Sequence, residues 1–107
     1  MKPAKDCQSM AELRAQIDLL DRELVALLVR RAGYIDRAIA LKPGENLPAR
    51  IEPRVAEVLD NVRAAALAQG LDPTLATDLW HRLIEWSITR EERVLGPSAP
   101  SQQDQKK

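Results

Sequence analysis

Phenylalanine is absent from this 107-residue chain, and tryptophan and tyrosine together supply only 3% of it. Alanine, leucine, arginine and glutamate dominate instead, a mix that favours helix over sheet. The single cysteine, Cys7, cannot form an intrachain disulfide, which fits a reducing cytoplasm. Neither sign of charge is in excess: 16 Lys and Arg balance 16 Asp and Glu. A nucleic-acid binder would gather basic residues on one face, and no such face is found. No apolar run approaches the roughly 20 residues of a membrane span. Residues 1–7 contain no apolar stretch of the kind a signal peptide needs. No metal-ligand cluster, Ser/His/Asp set or glycine-rich phosphate loop can be assembled. His81, the single histidine, reads as a surface or packing residue. Neither metal nor cofactor is expected.

What remains is material for one all-α domain, since this length leaves no room for a second core. Ser9 and Glu12 have the spacing of a capping box, and apolar residues then recur at Leu13, Ile17, Leu20, Leu24, Leu27 or Leu28, Ile35 and Ala38. One helix is predicted over 10–41, roughly 45–50 Å long at 1.5 Å per residue. A helix of that length cannot bury its stripe against two shorter segments, so a partner chain is expected. Residues 43–48 carry turn chemistry. Pro53 suits the first turn of a second helix and Gly70 its end, with Val55, Val58, Leu59, Val62 and Ala66 as its stripe. Asp72 and Pro73 open a third helix, which Gly96-Pro97 stops, with Leu75, Leu79, Leu83 and Val94 on one face. The domain is thus expected over 9–96, preceded by an extension over 1–8 and followed by a disordered tail over 97–107.

Several polar residues stand where apolar ones belong. Arg31 continues the first stripe, and an arginine is rarely buried without an anion. Lys42, eleven residues on, lies about 20° around the helix and roughly 16 Å along it, so the two side chains can lean towards one small ligand. Arg14 lies roughly 25 Å from Arg31 along the same helix, too far to share that ligand within one chain. Two antiparallel copies crossing near residues 22 and 23 would bring position 14 of one to position 31 of the other, building two equivalent pockets. On the third helix, Leu79 and Leu83 are followed at the same step by Ser87 and Glu91, which sets a hydroxyl and a carboxylate on the core-facing row. Glu85, Arg90 and Glu92 read as ordinary surface charge.

Arg14, Arg31, Lys42, Arg54, Ser87 and Glu91, on long–short–long helices with Asp18 and Asp21 early in the first, resemble the all-helical chorismate mutases. The likeness covers about residues 6–95, and the stretch from Leu13 to Asp21 is close to that family's opening. It implies three helices per chain, an intertwined two-fold dimer, and a chorismate-like dicarboxylate as substrate. Carried over by position, Arg14 of the second copy and Arg31 would bind the two carboxylates. Lys42 would hold a carboxylate and the ether oxygen, Arg54 would support the anionic site, and Ser87 would form a polar wall. Glu91 takes the position where the family carries Gln or Glu against the ether oxygen; Lys42 and Glu91 are therefore the expected catalytic pair.

Two departures bear on the reaction. Many mutases follow the arginine equivalent to Arg54 with a glutamate that meets the substrate's ring hydroxyl, whereas here Val55 follows. That loss, the Asp6-Cys7 start and Trp86 resemble the isochorismate-pyruvate lyases of salicylate synthesis. Ser87 and Arg50 resemble the mutases. Conversion of chorismate to prephenate is the first expectation, lysis of isochorismate to salicylate and pyruvate the second, and a non-catalytic helical dimer the third. Both reactions rearrange one bound molecule and ask the protein to hold a compact conformer and stabilise charge on the breaking ether oxygen. Glu91 can assist only as the protonated acid, so activity is expected to fall as pH rises.

Overall fold

The computed structural model describes residues 1–98, whose regular elements are helices: α1 (Met10–Leu41), α2 (Glu52–Gln69) and α3 (Pro73–Leu95), with 3-10 turns at Ala4–Asp6 and Lys42–Glu45. The long–short–long order is the one expected from the caps. Among the described residues, no helix is long and apolar enough to cross a membrane. The chain divides into two compact units, one of residues 1–34 and one from Ile35 onward.

In the first unit, Ser9 Oγ accepts from the Glu12 amide at 3.1 Å, the expected arm of the capping box. The returning arm differs. Glu12 Oε1 accepts from the Gln8 amide at 3.0 Å and from Lys2 Nζ at 3.0 Å. The Lys2 amide donates to Gln16 Oε1 at 2.8 Å, so the residues before α1 are tied to its first two turns. No residue of α1 is buried. Ile17, Leu20, Leu24, Leu27 and Leu28, the stripe read from the sequence, are each 43–53% exposed.

The second unit holds the packed core. Ala49, Ile84 and Ile88 are buried, with Val55, Val58, Leu59 and Leu95 against them. Pro53 lies in the first turn of α2, and Gly70 ends the helix at φ 81°, where its amide and that of Leu71 both reach the Ala66 carbonyl. Asp72 caps α3 by accepting from the Thr74 amide at 2.9 Å.

The face that α3 buries differs from the expected one. Ala76, Ile84, Ser87, Ile88 and Glu91 are buried, whereas Leu75, Leu79 and Val94 are exposed. A row of i+4 steps rotates about 40° at each step, so positions 75 and 91 stand about 160° apart and cannot share a face. Ser87 and Glu91 belong to the buried side; the leucines that begin the row do not.

The elements of this unit are cross-linked at the surface. Arg50 grips both Glu85 carboxylate oxygens, and Arg90 grips both oxygens of Asp36 while lying 5.4 Å over the Trp86 ring. Glu85 is thus exposed, as read from the sequence, and Arg90 half-exposed, yet each is engaged. Beyond α3, Ser98 is hydrogen-bonded on both its amide and its hydroxyl. The rest of the expected disordered tail, from residue 99, lies outside the described residues.

Hydrogen bonds from Arg50 hold the Glu85 carboxyl below its ordinary range, and those from Arg90 do the same for Asp36. The unfolded chain lacks these partners and takes up protons first. Their stabilisation is therefore complete at neutral pH and is lost as the pH falls through the depressed native values. The melting temperature is expected to drop between about pH 7 and about pH 3, and to drop less in a variant carrying Asp36→Asn and Glu85→Gln. Thermal melts across that range check it.

Candidate functional site

Lys42 follows the last residue of α1 and is gripped by the turn it begins. Its carbonyl accepts from the Leu47 amide at 3.0 Å, and the Pro43 carbonyl accepts from Asn46 at 3.2 Å. Asn46 closes the turn at φ 57° and ψ 39°, a left-handed conformation that asparagine tolerates better than most residues. The chain is thereby folded back so that Ala49 meets the lysine side chain.

Lys42 Nζ donates to the Ala49 carbonyl at 2.8 Å and to Glu91 Oε1 at 2.6 Å. An ammonium has three donors, and two are committed here. Glu91 is only 4% exposed, and the Lys42 side chain 16%. An isolated carboxylate at such depth is costly, of the order of several kcal/mol, and the lysine offsets that cost by placing a full positive charge in hydrogen-bond contact. The pair joins the end of α1 to the last turns of α3 across 49 residues of sequence.

Ser87 lies one turn before Glu91 on the buried face of α3, and its hydroxyl donates to the Leu83 carbonyl at 2.8 Å. Arg54 stands exposed in the first turn of α2 and pairs with Glu57 at 2.7 Å. Arg14 is exposed and Arg31 half-exposed, both on the part of α1 that belongs to the first unit. Of the six residues singled out by sequence, the second unit brings Lys42 and Glu91 into contact and buries Ser87 beside them on the same helix. Arg54 stays at the surface on its own ion pair.

Sequence reasoning missed the braces around this centre. Arg50 and Glu85 are separated by 35 residues, and Asp36 and Arg90 by 54. No spacing rule announces a pair at such range; only the packing of α3 brings them together. The hollow between the end of α2 and the start of α3, about 210 Å³ and lined by Val62, Ala66, Leu71, Ala76 and Trp80 among others, is a different kind of place. It has no charged lining and offers nothing to an anion. The buried charged pair is at Lys42 and Glu91.

A family model described as chorismate mutase type II matches residues 13–92. Isochorismate pyruvate lyase of Pseudomonas aeruginosa is 34% identical over 92 residues, which cover 85% of this chain and 89% of that protein. The T-protein of Enterobacter agglomerans is 33% identical over 82 residues, and that of Haemophilus influenzae 29% identical over 84. Each of those matches covers more than three quarters of this chain but only 22% of the T-protein. The matched span carries both partners of the buried ion pair, Lys42 and Glu91, and the chain belongs to the chorismate mutase type II family.

Proposed function

We propose that this chain converts chorismate to prephenate at a site centred on Lys42 and Glu91, completed by cations from a second copy. The observation that carries this reading is the buried contact between the two side chains, 2.6 Å long and joined to the Ala49 carbonyl. In the rearrangement one ether bond breaks as a carbon–carbon bond forms within the same molecule, so the protein need supply no nucleophile. Its tasks are to hold the substrate folded and to meet the negative charge that gathers on the ether oxygen. Lys42 meets it with a positive charge. In the free protein the Glu91 carboxylate holds that ammonium in place; it could itself donate to the ether oxygen only as the protonated acid, because the carboxylate would repel it.

Binding of the two substrate carboxylates falls to Arg31 and to Arg14 of the second copy, with Arg54 supporting the anionic site from the N-terminal turn of α2 and Ser87 as its polar wall. The exposed stripe of α1 supports the dimer. Covering the exposed halves of Ile17, Leu20, Leu24, Leu27 and Leu28 is worth about 1 kcal/mol each, enough to favour pairing of two α1 helices. Cytoplasmic residence agrees with the free thiol of Cys7.

Lysis of isochorismate to salicylate and pyruvate is the second reading, and Val55 favours it. Its side chain packs against Ala49, Ile84 and Ile88 where many mutases present a carboxylate to the ring hydroxyl. The lyase of Pseudomonas aeruginosa among the relatives supports the same reading.

Incubation with each substrate separates the two. Prephenate from chorismate is the expected product; salicylate from isochorismate with no prephenate from chorismate assigns the lyase, and neither product sinks both. The shared site has its own test. Arg14→Ala and Arg31→Ala chains, each nearly inactive alone, are expected to recover activity on mixing, because each heterodimer regains one intact pocket. Absence of recovery in mixtures shown to exchange subunits contradicts the shared site.

A further inference from the structure

The peptide unit between Ala49 and Arg50 is held at both ends. Its carbonyl accepts from Lys42 Nζ at 2.8 Å, and its amide donates to Ser98 Oγ at 2.8 Å. A peptide unit is planar, so fixing the direction of its N–H also fixes the direction of its C=O. Ser98 therefore determines where the carbonyl that receives the Lys42 ammonium points.

Ser98 is itself held. Gly96 leaves α3 at φ 86°, a backbone conformation that side chains other than glycine's rarely adopt, and its amide caps the helix by donating to the Glu92 carbonyl at 2.8 Å. The chain turns there, and the Ser98 amide donates to Glu92 Oε2 at 3.2 Å. Glu92, set aside in the sequence as surface charge, is the anchor of this turn. The connection runs from α3 through Glu92 to Ser98, to the Ala49–Arg50 peptide, and so to Lys42. A second brace acts on the same residue, since the Arg50 side chain is fixed on Glu85 of α3. Ser98 lies beyond residues 13–92, the span shared with the family.

We infer that Ser98 is a positioning residue for the reaction: its hydroxyl clamps the Ala49–Arg50 peptide and thereby aims the Lys42 ammonium. This rests on the role given to Lys42 above. Residues that orient a group in contact with the substrate typically change activity by 10- to 100-fold when removed, without touching the substrate themselves.

The test uses the full-length chain with Ser98→Ala and with Ser98→Thr. Ser98→Ala is expected to lower kcat on chorismate about tenfold with a smaller change in KM, at a melting temperature close to the parent's. Ser98→Thr, which keeps the hydroxyl, is expected to restore kcat. Hydrogen exchange at the Arg50 amide, read by NMR without substrate, is expected to accelerate in Ser98→Ala and to return in Ser98→Thr. Parent-like kcat in Ser98→Ala overturns the inference, as does unchanged exchange at Arg50 or a threonine variant as slow as the alanine one. A parent enzyme that turns over no chorismate contradicts the functional reading instead, and the Arg50 exchange still decides whether the clamp exists.

Discussion

The arrangement of the second unit depends on one ammonium group. Glu91 is almost wholly buried, and a carboxylate in that position is sustained by Lys42 at 2.6 Å. Lys42 in turn reaches it only because α1 stops at Leu41 and the next residues fold into a 3-10 turn closed by a left-handed Asn46. The returning segment offers the Ala49 carbonyl as the second acceptor. Removing either partner of the ion pair leaves a charge or a polar group facing apolar neighbours, the situation that costs proteins most. Under the proposed function, catalysis and local stability would draw on the same contact. A dianion entering this place would meet a positive charge already desolvated and already aimed, the preorganisation that electrostatic catalysis requires.

The two units contrast in what they bury. Among the described residues from Ile35 onward the chain has a core, capped helices and polar links between elements, among them Lys42 to Glu91, Arg50 to Glu85, Arg90 to Asp36, and Ser98 to Arg50. In residues 1–34 the Lys2, Asp6, Cys7 and Gln8 amides are hydrogen-bonded and the helix is well started, yet its apolar stripe stays half-exposed. A helix with good ends and an uncovered face has its local structure specified but not its packing. A second copy, as proposed, would supply that packing, and with it Arg14 for the shared site.

Much of this was legible in the sequence because it rests on local rules. Pro53, Gly70 and Gly96 marked helix ends through their own backbone preferences, and Ser9 and Asp72 marked the starts of α1 and α3 through a side-chain bond each. Glu91 stood out as a carboxylate on a core-facing row, and Lys42 through its spacing from Arg31. The phase of α3 was misjudged because an i+4 row drifts around a helix, so Leu75 and Leu79 predicted the buried face worse than Ser87 and Glu91 did. The Arg50–Glu85 link and the role of Ser98 were not legible at all. They join residues 35 and 48 positions apart, and their chemistry is no different from that of any surface charge or terminal serine.

In the proposed reaction Lys42 meets the breaking ether bond with its positive charge, and Glu91 holds that charge in place from the buried face of α3. Turnover of chorismate by Lys42→Met, a side chain of similar length without the charge, measures that contribution most directly. The account predicts that kcat falls at least about a hundredfold in a chain that keeps its helical circular dichroism. A folded Lys42→Met enzyme with the parent's kcat contradicts the account.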